Sequence, residues 1–170
     1  SPDELTTDVF APSKLTQTDY DTDQRLRAAI KENPGQFKQV TYAQALADAL
    51  REEMIRDERV FCLGEDIGLY GGAYGATRDL FKEFGQWRVL DTPISEATIG
   101  GAAVGAAMAG MRPIAEIMFS DFFGVCWDMI ANEIAKTRYM TNGQISLPLV
   151  IRTANGAGSM YSTSGANSAP

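Results

Sequence analysis

The chain has 170 residues, 45% of them hydrophobic, with no histidine, two cysteines and a formal charge of -7. That length holds one core of ordinary size, and the acidic balance makes nucleic-acid and anionic-membrane surfaces repulsive partners. Without imidazole, histidine-dependent triads and histidine-ligated metal sites are excluded within the chain, so acid–base chemistry falls to carboxylates or to a cofactor.

Residues 1–38 are polar and acidic with no sustained period, apart from a helical turn or two at RLRAAIKEN before Pro34-Gly35, and read as an extension or linker. Residues 39–170 form the expected domain. Thr41 and Gln44 have capping-box spacing, and Ala45, Leu46, Ala49, Leu50 and Met54 recur at helical intervals, which predicts a helix over 42–56. VFCLG, residues 60–64, suits a short buried strand. The loop GEDIGLYGGAYGA follows, then a short helix over 78–84 with Gly85 as its C-terminal cap.

RVLDTPI is the second expected strand, and Ser95 is placed to cap a helix over 96–110. Arg112-Pro113 turns the chain into a third strand, PIAEIMF. A long helix over 121–140 should stop at Asn142-Gly143, and LPLVIRT gives a fourth strand before a Gly/Ser-rich end. Strands alternating with helices predict an α/β fold, a mostly parallel sheet with helices on both faces. The uncharged run over residues 97–111 is too short and too rich in Ala and Gly for a membrane span, and the lack of a basic stretch before an apolar run predicts no secretory signal at the start. Cys62 and Cys126 lie in apolar surroundings without metal-ligand spacing and read as buried thiols.

In such sheets ligands bind beyond the carboxyl ends of the strands, which selects the loops after Gly64, Ile94, Met118 and Thr153. Glu96 stands directly after the second strand. It either complements a helix dipole or is a carboxylate at the ligand crevice, able to exchange a proton with a nitrogen heterocycle. Gly101 and Gly105, four apart among alanines, predict dense packing against another helix. The glycines of GLYGGAYG match neither a dinucleotide fingerprint nor a phosphate loop. Glu65 and Asp66 are solvated loop acids or further crevice carboxylates, and Met118, Phe119, Phe122 and Phe123 are core or the wall of a heterocycle pocket.

Taken together, GEDIGLYGGAYGATRDLFKEFG, RVLDTPISEATIGGAAVGAAMAGMRPIAEIMF and DMIANEIAKTRYMTNGQ resemble the β subunit of thiamine-diphosphate-dependent 2-oxo acid dehydrogenases, over about residues 41–158. The resemblance implies a transketolase-type domain for the aminopyrimidine half of thiamine diphosphate. It implies that the glutamate of DTPISE, Glu96, bonds the pyrimidine ring nitrogen and activates the cofactor for decarboxylation of a 2-oxo acid and acyl transfer to a lipoyl group. By the same match Glu65 takes a role in an inter-site proton path, and Ile94, Met118 and Phe122 line the pyrimidine pocket. Met129 stands where family members often carry glutamine.

No GDG motif for magnesium and diphosphate occurs, so the resemblance implies that an α subunit or domain supplies that half, metal included. A second β copy in a heterotetramer, a lipoyl-bearing acyltransferase and a bacterial cytoplasmic or mitochondrial matrix setting are implied with it. SPDELTTDVFAP is similar to the tail of an α subunit, which suggests a fused α–β chain, and SGANSAP stops about where the family carries a histidine segment. Acetoin dehydrogenase, a transketolase-like transferase and a non-catalytic interaction fragment are the alternatives.

Overall fold

A computed structural model describes residues 17–155. The two chain ends, with the α-like and SGANSAP stretches, lie outside the described residues.

The first element is α1, Gln17–Glu32, longer than the turn or two expected. Gln, Arg, Ala and Lys are good helix formers, and an Asp23–Arg27 pair one turn apart adds to them. Leu26 and Ile30 on it remain exposed. Next, α2 covers Tyr42–Arg56, as its periodicity predicts. Half of the expected capping box forms: Thr41 Oγ1 accepts from the Gln44 amide at 3.1 Å. Gln44 sends its own side chain forward to Asp48 instead.

Four strands follow: β1 Val60–Gly64, β2 Val89–Asp91, β3 Arg112–Phe119 and β4 Val150–Ala154. They form one sheet in the order β2-β1-β3-β4, with all three pairings parallel. Side chains alternate across the sheet, so each face builds its own core. On one face Leu50 and Met54 of α2 pack with Val60, Cys62, Val89 and with Leu80 of α3, Leu80–Phe84. On the other, Ile99 and Ala103 of α4, Glu96–Met108, pack with Leu63, Ala115, Ile117 and Cys126. The sheet is therefore covered on both faces, as the alternation of elements predicts. Gly85 caps α3 with positive φ (75°), its amide bonding Phe81 O at 2.9 Å.

Arg88 ties the amino edge together. It donates to the carbonyls of Val60 and Met54 at 2.8 and 2.9 Å and lies over the Phe84 ring.

The expected long helix after β3 is broken. Ser120–Gly124 is a 3-10 turn, Met129–Ile134 a π-helical segment, and only α5, Ala135–Met140, is regular α-helix. The π segment packs on α4, and the glycine in closest contact is Gly100: a Cβ there would stand 3.0 Å from Met129 Cβ. Gly101 meets Met129 Sδ, whereas Gly105 has nothing within 4 Å. Dense packing thus involves one end of the small-residue helix, and its outer side, with Ala102, Gly105 and Met108, is exposed. Both cysteines are buried free thiols, and burial pushes Cys62 up to about 11. No helix among the described residues is long and apolar enough to cross a membrane.

Candidate functional site

The carboxyl ends of β1, β2 and β3 put three loops at one edge of the sheet. β1 leads directly into Glu65. β2 ends at Asp91, earlier than its sequence suggested, and Thr92 to Ser95 carry the chain to Glu96, the first residue of α4. β3 runs into Phe119 with a register irregularity between Ile117 and Phe119.

Glu96 is 6% exposed and has no hydrogen-bond partner among the described residues. Its place in the first turn of α4 lets the helix dipole offset part of the cost of burying a carboxylate. Ser95 occupies the cap position without capping: its hydroxyl pairs with that of Thr98 at 2.8 Å.

Glu65 is equally buried, and its Oε1 has no hydrogen-bond partner. Burial raises its pKa, and the neighbouring charges of Glu96 and Asp66 raise it further. Two carboxylates that feel one another in an apolar pocket disfavour double ionisation, so such a site readily holds a proton.

A cluster of rings stands at the end of β3. Phe119 and Phe122 meet edge to face with centroids 5.7 Å apart, and Tyr74, from the glycine loop, meets Phe119 the same way at 6.1 Å. Phe122 packs into the α4-side core beside Ile99, one turn beyond Glu96. Met118 is half-buried at the irregular end of β3. Ile94 is 82% exposed.

The structure thus places Glu65, Glu96 and Phe122 on the α4 face of the sheet's carboxyl edge, whereas Met118 and Ile94 are not shown in contact with them. It adds Tyr74, which the sequence left among loop glycines, and Cys126, whose thiol donates to Phe122 O at 3.5 Å and lies within electrostatic reach of Glu96. An aromatic between positive-φ glycines was the available signal for Tyr74; nothing local marks Cys126.

Glu65 makes stability depend on pH. An acid whose folded pKa is raised gives its full stability below the unfolded value and loses it as pH rises through the folded value. As pH rises above about 4, the ordinary glutamate range, Glu65→Gln should therefore gain stability relative to the wild type. Thermal melts of both proteins at successively higher pH test this; parallel curves would show that Glu65 is ordinarily solvated.

Comparison with known proteins gives the family of the chain. The family model for the transketolase pyrimidine-binding domain matches residues 38–165. The chain is 51% identical over 121 residues to the pyruvate dehydrogenase E1 component subunit beta of Rickettsia conorii, covering 71% of this chain and 37% of that protein. It is 49% identical over 119 residues to the 2-oxoisovalerate dehydrogenase subunit beta of Bacillus subtilis, covering 70% and 36%. Against the beta subunit of the acetoin:2,6-dichlorophenolindophenol oxidoreductase of the same bacterium it is 44% identical over 131 residues, covering 70% and 38%. The chain therefore spans well under half the length of the curated relatives it matches. On this evidence the chain belongs to the transketolase pyrimidine-binding domain family, in the branch that resembles the β subunits of 2-oxo acid dehydrogenases.

Proposed function

We propose that residues 39–170 form the pyrimidine-binding half of a thiamine-diphosphate-dependent 2-oxo acid dehydrogenase, with residues 1–38 as an extension. The observation that carries this reading is Glu96, buried and unpartnered among the described residues at the sheet's carboxyl edge, beside a second buried acid. These residues fit an aminopyrimidine: an orphaned carboxylate needs a polar partner, and a flat heterocycle needs an apolar wall. When bound, thiamine diphosphate supplies a carbon nucleophile and an electron sink for loss of carbon dioxide.

With that group bound, Glu96 would hydrogen-bond the pyrimidine ring nitrogen from dry surroundings that limit proton leakage to water. Phe122, Met118 and Ile94 would line the ring. Glu65 takes up or passes on a proton beside Glu96. The diphosphate and its magnesium fall to an α subunit or α domain. A second β copy and a lipoyl-bearing acyltransferase complete the assembly, in the bacterial cytoplasm or the mitochondrial matrix.

Calorimetry with thiamine diphosphate and magnesium tests the split site. Binding should be at least about 100-fold weaker for this chain alone than for its assembly with the α half, a difference of about 2.7 kcal/mol. Equal affinity would overturn the division of labour. A second reading, cleavage of acetoin, is favoured by the match to the Bacillus subtilis acetoin oxidoreductase subunit. Acyl-lipoyl formation from a 2-oxo acid by the assembled protein separates the two.

A further inference from the structure

The buried glutamates of this chain are not equivalent. Among the described residues Glu65 and Glu96 have no cation, whereas Glu116 of β3, 7% exposed, is bonded by Arg152 of β4. Register explains why. Asp91, Gly64, Glu116 and Arg152 form one row across β2, β1, β3 and β4. Two residues earlier on their strands, Cys62, Val89 and Ile114 belong to the core under α2 and α3. Alternation along a strand therefore puts the row on that same face, immediately beyond the apolar core and opposite Glu65.

The glycine loop that follows β1 folds back onto this row. Asp91 Oδ1 accepts from the Gly68 amide at 2.6 Å, and a Cβ on Gly68 would lie 2.4 Å from the other Asp91 oxygen. A Cβ on Gly64 would lie 2.9 Å from Glu116 Cβ. Glu116 binds Arg152 through Oε2 and turns Oε1 toward Gly72, where an added Cβ would stand 3.8 Å away. Three glycines, at 64, 68 and 72, thus sit where the loop backbone rests on side chains of the row.

We infer that Asp91 and the Glu116–Arg152 pair are a polar seat that positions the glycine loop and, through it, Glu65. Arg152 is its anchor, because it pairs with Glu116 and fixes that side chain beneath Gly72. All three are positioning residues on the face away from the site, and their effect on the reaction rests on the cofactor reading above.

The test compares Arg152→Met, Glu116→Gln and the double variant in the native assembly. It follows hydrogen exchange at the Gly71, Gly72 and Thr77 amides, whose bonds to Gly68, Asp66 and Gly71 carbonyls close the loop. Alongside it are measured the melting temperature and the KM for thiamine diphosphate against kcat. Arg152→Met should speed exchange at those amides about tenfold more than in β1, raise KM several-fold and lower the melting temperature. The double variant leaves no charge unpaired, so it should recover the melting temperature while loop exchange and KM stay high.

Recovery of all three together would reduce the pair to a stabilising contact and overturn the inference. Loop exchange that changes only in step with the whole fold would do the same, as would a loosened loop with unchanged KM. Exchange is measured without cofactor, so absence of thiamine diphosphate binding in the wild type would fail the functional reading and leave the seat itself still tested.

Discussion

Replacing Glu96 by glutamine is expected to cost the assembled enzyme about 10²–10⁴-fold in turnover, the range that a positioned acid–base group contributes. Glutamine keeps the shape and the hydrogen-bonding reach but cannot exchange a proton. Stability should move little. The variant gives up the favourable interaction of a carboxylate with the start of α4, about 0.3–1 kcal/mol. Against that, it removes a charge that is 6% exposed, unpartnered and close to Glu65. The two terms oppose each other, so melting temperature and subunit assembly should match the wild type while turnover collapses. A glutamate that served only to cap the helix would give the reverse pattern, near-normal turnover with a small stability loss. Steady-state kinetics and a thermal melt on the same preparation separate these outcomes.

Much of this arrangement was legible from local chemistry. Thr41 and Gly85 mark helix ends through rules that depend on a few neighbouring atoms, and VFCLG could be buried only as a short strand. The long helix after β3 was not legible. Its apolar spacing suits an α-helix, but Met129 must pass the Gly100 surface, and the contact is made by a π-helical segment whose extra width no periodicity announces. Glu96 begins a helix as its sequence predicts, yet its burial is not written in that helix alone. Only the family resemblance gave it a task.

The Glu116–Arg152 pair left a signal that went unread: one charge in each of two apolar strands, PIAEIMF and LPLVIRT. Buried charges need partners, so those strands had to be neighbours with that register. The glycine loop matches no phosphate cradle, but its packing role was not legible: the space side chains would fill is taken at 64 and 68 by Glu116 and Asp91.

Gly64→Ala is the second large effect expected, and it acts on stability first. Gly64 closes β1 between Asp91 of β2 and Glu116 of β3, where strands pair on both sides. A methyl group there would lie 2.9 Å from both Glu116 Cβ and the Glu116 carbonyl oxygen. A flexible side chain could swing away from such a contact, but backbone at the centre of a sheet cannot. Relief requires β1 and β3 to separate, and overpacking of this kind costs about 1–3 kcal/mol. The backbone conformation is not the obstacle, since φ at Gly64 is not positive; the clash alone sets the cost. Chemical denaturation should show a lower midpoint with an unchanged slope. Because Glu65 is the next residue, any shift that relieves the clash also moves its carboxylate relative to Glu96. Turnover should therefore fall further than the remaining folded fraction explains. Alanine tolerated with full stability would mean that β1 and β3 lie farther apart than this geometry allows, and the seat under the glycine loop would lose its footing with them.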